Sequence, residues 1–258
     1  MEFRPPQYRI PPVPLRYVNE RYYPGVFGDF TQVVEAHLGQ LRRNSDSEST
    51  EKARFFEYLL TQVDAERYAE LQDAYLRSMF HDQAFLKYLD AISWFEHKLS
   101  YAYQLELDKK PPTRILDLGT GPGHFLVIAR FYGHEAIGTE IPGERWSTNF
   151  YDELAELYRI ERIRHRVLPY QELSDLPSGF QLVTAFSVAF NCAYGGKPWD
   201  RDAWDFFLRS LNQHVLAARG ALFMTLMKEK LTKESWDYLV SKAKWVDGRE
   251  FQVLIERT

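Results

Sequence analysis

The sequence predicts an α/β fold: a sheet of seven strands, mostly parallel with an antiparallel terminal strand, flanked by helices and preceded by a helical extension. Three observations carry this. From Pro112 onward, short apolar runs alternate with stretches of helical periodicity, the pattern of strands joined by crossover helices. The first of those runs ends in "LGTGPGHF", with Gly119, Gly121 and Gly123 close together, which suits a turn from a strand into a helix. The chain closes on "KWVDGREFQVLIER", two strand-like runs around Asp247-Gly248. A hairpin of that kind adds one strand running against the others.

Taken in order, residues 1–28 are dense in proline and tyrosine and read as an extended arm, because proline at that density prevents regular helix. Residues 29–110 read as a helical extension. "DFTQVVEAHLGQL" has apolar residues at helical spacing, and a polar loop "RRNSDSEST" follows it. Ser49 or Thr50 is placed to cap the next helix and Asp64 the one after, since short polar side chains satisfy the first free amides. A further helix is expected from Gln83 to Leu107, ended by "DKKPP", because the residue before proline disfavours helix.

Residues 111–258 then supply the sheet. "TRILDLG" reads as a strand and "GHFLVIARFYG" as a helix closed by Gly133. "HEAIGTEI" is the second strand and "RWSTNFYDELAELYRI" its helix. "RIRHRVLPY" is the third strand, "FQLVTAFSV" the fourth and "ALFMTLM" the fifth, with "RDAWDFFLRSLNQHVLA" and "TKESWDYLVSKA" as the last two helices.

Composition narrows the function classes. A net charge of −4 gives no global attraction to a polyanion. With the single cysteine, Cys192, neither an internal disulfide nor a multi-cysteine zinc site can form. "HEAIG" is not H-E-x-x-H, and neither G-x-S-x-G nor G-x-x-x-x-G-K occurs, so metal, serine-hydrolase and P-loop chemistry lack support and no metal is expected. The amino terminus lacks the apolar core of a signal peptide, and the run "LVTAFSVAF" is about half of what a membrane span requires. A cytoplasmic protein is expected.

The glycine turn is where the chemistry concentrates. Glycines beside the acid Asp117 let the backbone pass close under a ligand. The dinucleotide fingerprint G-x-G-x-x-G would need a small residue at position 124, where this chain has histidine. What stands there is D-x-G-x-G-x-G, from Asp117 to Gly123, followed by Glu140 at the end of the second strand. Such an acid accepts hydrogen bonds from ribose hydroxyls, a device that NAD-binding folds share. The set resembles class I S-adenosylmethionine-dependent methyltransferases, which have a Rossmann-like fold.

The resemblance covers about residues 112–258 and implies S-adenosyl-L-methionine as cofactor. It implies contacts from Asp117, Gly119, Thr120, Gly121 and Gly123 at the first turn, and from Glu140 and Ile141 after the second strand. It puts Tyr170, Gln171 and Glu172 beside the adenine, and Ser187 at the end of the fourth strand. Gln181 departs from the aspartate usual in the family's fourth strand. Trp146 is either a stacking residue or helix packing.

The implied reaction is methyl transfer to an oxygen or nitrogen of a small molecule or glycan, with no nucleic acid or membrane partner and a homodimer left open. The catalytic residue is not identified; His97 and His124 are the histidines on segments near the expected cofactor mouth. Arg162, Arg164 and Arg166 read as a charged sheet edge rather than a nucleic-acid patch. "NCAY", Asn191 to Tyr194, is only faintly like the N-P-P-Y motif of amino-methylating enzymes. The segment from Met79 to Leu107, with Phe85, Tyr88, Trp94, Phe95, His97, Tyr101 and Tyr103, is expected to wall the methyl group. Two alternatives remain: a non-catalytic S-adenosylmethionine-binding subunit and an NAD-dependent oxidoreductase.

Overall fold

The computed structural model describes residues 28–77, 86–141, 148–188, 190–191 and 197–257. The arm to residue 27, Phe85, Trp146 and residues 192–194 lie outside them.

One sheet holds seven strands: β1 (Arg114–Asp117), β2 (Glu135–Glu140), β3 (Arg162–Arg164), β4 (Phe180–Phe186), β5 (Leu216–Thr225), β6 (Trp245–Asp247) and β7 (Gln252–Glu256). Their order is β3-β2-β1-β4-β5-β7-β6. The pairings from β3 to β5 are parallel, and β7 runs antiparallel to both its neighbours. The fold is therefore Rossmann-like α/β. From β1 the chain moves outward through β2 and β3, then returns to β4 on the other side. That reversal makes the carboxyl ends of β1 and β4 the switch point where such sheets bind ligands.

Alternation along the strands builds two cores. Ala221, Phe223 and Leu254 face one, while Leu222, Met224 and Val253 face the other. Against the first lie α1 (Phe30–Leu41), α2 (Ser47–Gln62), α3 (Ala65–Arg77), α4 (Ala91–Gln104), α5 (His124–Phe131) and α6 (Thr148–Leu157). Against the second lie α7 (Arg201–His214) and α8 (Lys233–Lys242). Phe55, Phe95 and Phe125 are all within 1% of full burial, and each contributes about 1.5–3 kcal/mol by leaving water. The extension and the sheet thus share one continuous core.

Several local expectations change. Asp46, not Ser49 or Thr50, caps α2 by accepting from Ser49 N at 2.7 Å. Asp64 does cap α3, accepting from Glu66 N at 3.0 Å. Within the expected helix from Gln83 to Leu107, residues 83–85 lie outside the described residues, and from Leu86 on the chain forms a 3-10 turn (Leu86–Leu89) followed by α4. Asp90 makes that break, because its side chain accepts from Ser93 N and Ser93 Oγ at 3.1 and 2.7 Å. The third strand is only three residues long, though it lies at the sheet edge as expected. The fifth starts earlier, at Leu216. The last hairpin does not turn on Asp247-Gly248 alone: β7 starts at Gln252, and Phe251 takes the positive φ of 50°.

Candidate functional site

The carboxyl ends of β1, β2 and β4 open onto a cavity of about 530 Å³, a size suited to a small ligand. Its floor is the turn from β1 into α5. Gly119, Gly121 and Gly123 all take positive φ there, 63°, 56° and 86°, where other residues are strained. At Gly119 a Cβ would also stand 2.6 Å from Val188 Cγ1. β2 holds the loop in place: Gly119 N donates to Thr139 Oγ1 at 3.0 Å and Thr120 N to Thr139 O at 2.9 Å. Gly138 permits this approach, because a Cβ there would meet Thr120 Cγ2 at 2.3 Å. Arg162 Nη1 donates to Gly121 O at 3.2 Å, securing the loop from β3.

Two buried carboxylates stand at the strand tips. Asp117 is 3% exposed and accepts from Thr184 Oγ1 at 2.7 Å. Burial pushes its pKa up, opposed by the charge of Lys98 and by the Thr184 hydrogen bond. Glu140 accepts from Ile141 N at 2.9 Å through Oε1. Burial raises its pKa too, against backbone hydrogen bonds and the nearby Arg162 and Arg164. Acids held this way in a cleft mark a ligand site, because a cation or hydroxyl donor relieves their desolvation.

One face of α4 forms another wall. Trp94, His97, Lys98 and Tyr101 all line the cavity, and their spacing puts them on a single helical face. Lys98 Nζ lies 4.3 Å from the ring centroid of Phe186 and 5.2 Å from that of Tyr101. His97 packs edge-on against Trp94 and Tyr101, at 5.5 and 4.9 Å between centroids. His124 differs. It is 2% exposed, with Phe95 and Tyr158 rings 4.7 and 5.2 Å away, and burial with the Lys98 charge lowers its pKa to about 3. It also lines the cavity, but as a neutral, buried imidazole it is a poor base at neutral pH.

The structure brings Asp117, Gly119, Thr120, Gly121, Glu140, Ile141 and Ser187 to this one cavity. Gly123 does not line it; it precedes α5 and packs on Ile160. Tyr170, Gln171 and Glu172 do not line it either. Because β3 ends at Arg164, the chain turns away early, and Tyr170 donates to Asp200 Oδ1 at 3.0 Å while Glu172 approaches His214 at 3.8 Å. Arg166 and Val167 line the cavity instead. Arg162 and Arg164 both pair with Asp152 on α6. Asn191 donates to Lys230 O at 2.6 Å and lies in the fold.

From the expected wall, Tyr88, Trp94, His97 and Tyr101 reach the cavity, whereas Phe95 is fully buried in the core. Sequence reasoning missed Lys98, Thr184, Thr139, Tyr151 and Arg166. The signal for Lys98 was present in the W-x-x-H-K-x-x-Y spacing of α4. Among the described residues no group of three His, Cys, Asp or Glu is placed to hold a metal ion. No helix among them is long and apolar enough to cross a membrane.

Fold and cavity together define a Rossmann-like α/β protein with a cavity over a glycine turn at the sheet's switch point. No family model matches the chain. No curated protein matches it either. Among solved structures, a ribosomal protein L11 methylase from Lactobacillus delbrueckii subsp. bulgaricus is similar at 19% identity and TM-score 0.41, over 66% of this chain and 80% of that one. A TehB-like SAM-dependent methyltransferase from Corynebacterium glutamicum is similar at 16% identity and TM-score 0.41, over 63% and 98%. SAM-bound CalS10, an amino pentose methyltransferase from Micromonospora echinaspora, is similar at 18% and 0.37, over 54% of each chain.

Proposed function

We propose that the protein is an S-adenosylmethionine-dependent methyltransferase acting on an oxygen or nitrogen of a small molecule or glycan. One observation carries this reading: a turn of three positive-φ glycines follows the buried Asp117, and two of them, Gly119 and Gly121, line one cavity together with Asp117 and the buried Glu140. Their chemistry suits the cofactor. Asp117 offers a charge to its ammonium, the bare backbone lets it lie close, and Glu140 accepts from ribose hydroxyls. Ile141 and Ser187 complete the lining on that side.

Against a dinucleotide, the third fingerprint position is the buried His124 rather than a small residue. When bound, the cofactor supplies a methyl group already activated on sulfonium. What the chain adds is positioning and exclusion of water, for which the aromatic face of α4 is suited. His97 and His124 both line the cavity, and His97 is the less buried, which favours it as the residue that takes a proton. The net charge of −4 and the engagement of Arg162 and Arg164 with Asp152 speak against a nucleic acid acceptor.

Titration calorimetry with S-adenosylmethionine, S-adenosylhomocysteine and NAD tests the reading. The two sulfur ligands should bind, and at a hundredfold excess over Kd S-adenosylhomocysteine should stabilise the fold by about 2.7 kcal/mol. Binding of NAD alone would reject it.

A further inference from the structure

The face that α4 turns to the cavity has a particular chemistry. Trp94, His97 and Tyr101 bring rings to it, and Phe186 adds another, 4.5 Å from Tyr101 between centroids. Lys98 sits among them, its ammonium held over two aromatic faces. Among the described lining residues the acids are Asp117 and Glu140, both at strand tips beside the glycine turn, and the permanent cations are Lys98 and Arg166. On the methyltransferase reading, on which this inference rests, both acids are engaged by the cofactor. The α4 side then offers stacking surface, a cation and an imidazole.

That combination discriminates between acceptors. A protonated amine would meet like charge at Lys98. A sugar can lay its C–H face on the rings, but its hydroxyls are too weakly acidic to ionise beside Lys98 and His97. A planar ring bearing an acidic hydroxyl meets what it needs: faces to stack on, a cation beside its developing oxyanion, and a base.

We propose that Trp94, His97, Lys98, Tyr101 and Phe186 form the acceptor subsite, and that the acceptor is an aromatic hydroxyl that reacts as its phenolate. The step balances. The phenolic O–H bond breaks with its proton passing to His97, then to solvent. The oxygen–carbon bond forms as the carbon–sulfur bond breaks, leaving the electron pair on sulfur and neutralising both charges.

The probe is 4-nitrophenol, whose ionised form is read by its visible absorbance, added to the full chain loaded with S-adenosylhomocysteine. Binding should move its ionisation midpoint down by about one pH unit or more, a tenfold change. Lys98→Met should remove that shift in a variant that still binds S-adenosylhomocysteine. With labelled S-adenosylmethionine, phenol and 4-nitrophenol should be methylated, and cyclohexanol and cyclohexylamine should not. His97→Gln should slow transfer to phenol more than to 4-nitrophenol, which ionises without help.

The proposal is overturned if S-adenosylhomocysteine binds but 4-nitrophenol does not, or binds with no shift. Transfer to cyclohexylamine overturns it too. So does a Lys98→Met variant that loses cofactor affinity and keeps the probe's shift, because Lys98 would then serve the cofactor's carboxylate. Failure of the wild-type chain to bind S-adenosylhomocysteine is a separate result and removes the methyltransferase reading itself.

Discussion

Asp117 and Thr184 stand side by side on β1 and β4, and the threonine hydroxyl donates to the carboxylate at 2.7 Å. Both are buried, at 3% and 0% exposure. The bond explains the one hydroxyl in the apolar run of β4: it partly compensates a carboxylate that would otherwise sit in the core unsolvated. Strand pairing therefore does two things at this point, holding the sheet together and fixing the direction of the acid at the head of the glycine turn.

Thr184→Val keeps the shape and removes the donor. The folded state should lose about 1.5–3 kcal/mol, the range for a hydrogen bond to a charged group, and the Asp117 pKa should rise further. Urea denaturation measures the first effect. An unchanged midpoint would show that the hydroxyl gives the acid no support.

Glu140→Ala should weaken S-adenosylhomocysteine binding by about 1.5–3 kcal/mol, because the carboxylate at the tip of β2 is read as the ribose partner. Glu140→Gln, which keeps one acceptor oxygen, should fall between. Ile141 N loses its partner in the alanine variant, so circular dichroism must first establish that the fold persists. Wild-type affinity in a folded variant would remove Glu140 from the cofactor site.

The contrast between Glu140 and Tyr170 shows what the sequence makes legible. The glycine turn, the acid before it and the acid ending β2 depend on local backbone chemistry and on strand length, both written in a few adjacent residues. Tyr170 depends on where β3 stops. The apolar and basic alternation continues past Arg164, yet pairing with β2 ends there, because β2 itself ends at Glu140. Strand length was set by the neighbour, which no local pattern carries. The break before α4 was legible in principle: Asp90 stands three residues before Ser93, but helical periodicity on both sides outweighed a single capping residue. Lys98 was legible only as a position on a helical stripe; that the stripe faces the glycine turn is a consequence of how α4 packs on α5.

His124 makes stability depend on pH in a defined direction. Its ordinary pKa of 6.5 falls to about 3 in the fold, first through burial and then through the charge of Lys98. Between those values the unfolded chain takes up a proton that the folded one refuses. Its contribution is therefore fully present above about pH 6.5 and lost as the pH falls toward 3, with a slope of up to about 1.4 kcal/mol per pH unit. Asp117 and Glu140 act with the opposite sign. Their pKa values are raised by burial, so their contribution is present at low pH and fades as the pH rises through the folded values. His134, lowered by burial as well, adds to the His124 effect. The net curve mixes all four, and the difference between two proteins separates them. His124→Phe keeps a ring among Phe95, Tyr158 and Tyr88 and removes the titrating group together with its hydrogen bond to the Tyr88 backbone, a loss that shifts the whole curve rather than its slope. Unfolding free energies from urea titrations between about pH 7 and about pH 4 should decline less steeply in the variant, by up to about 1.4 kcal/mol per unit. If the two curves run parallel, His124 is not held neutral in the fold, and its exclusion as the catalytic base loses its ground.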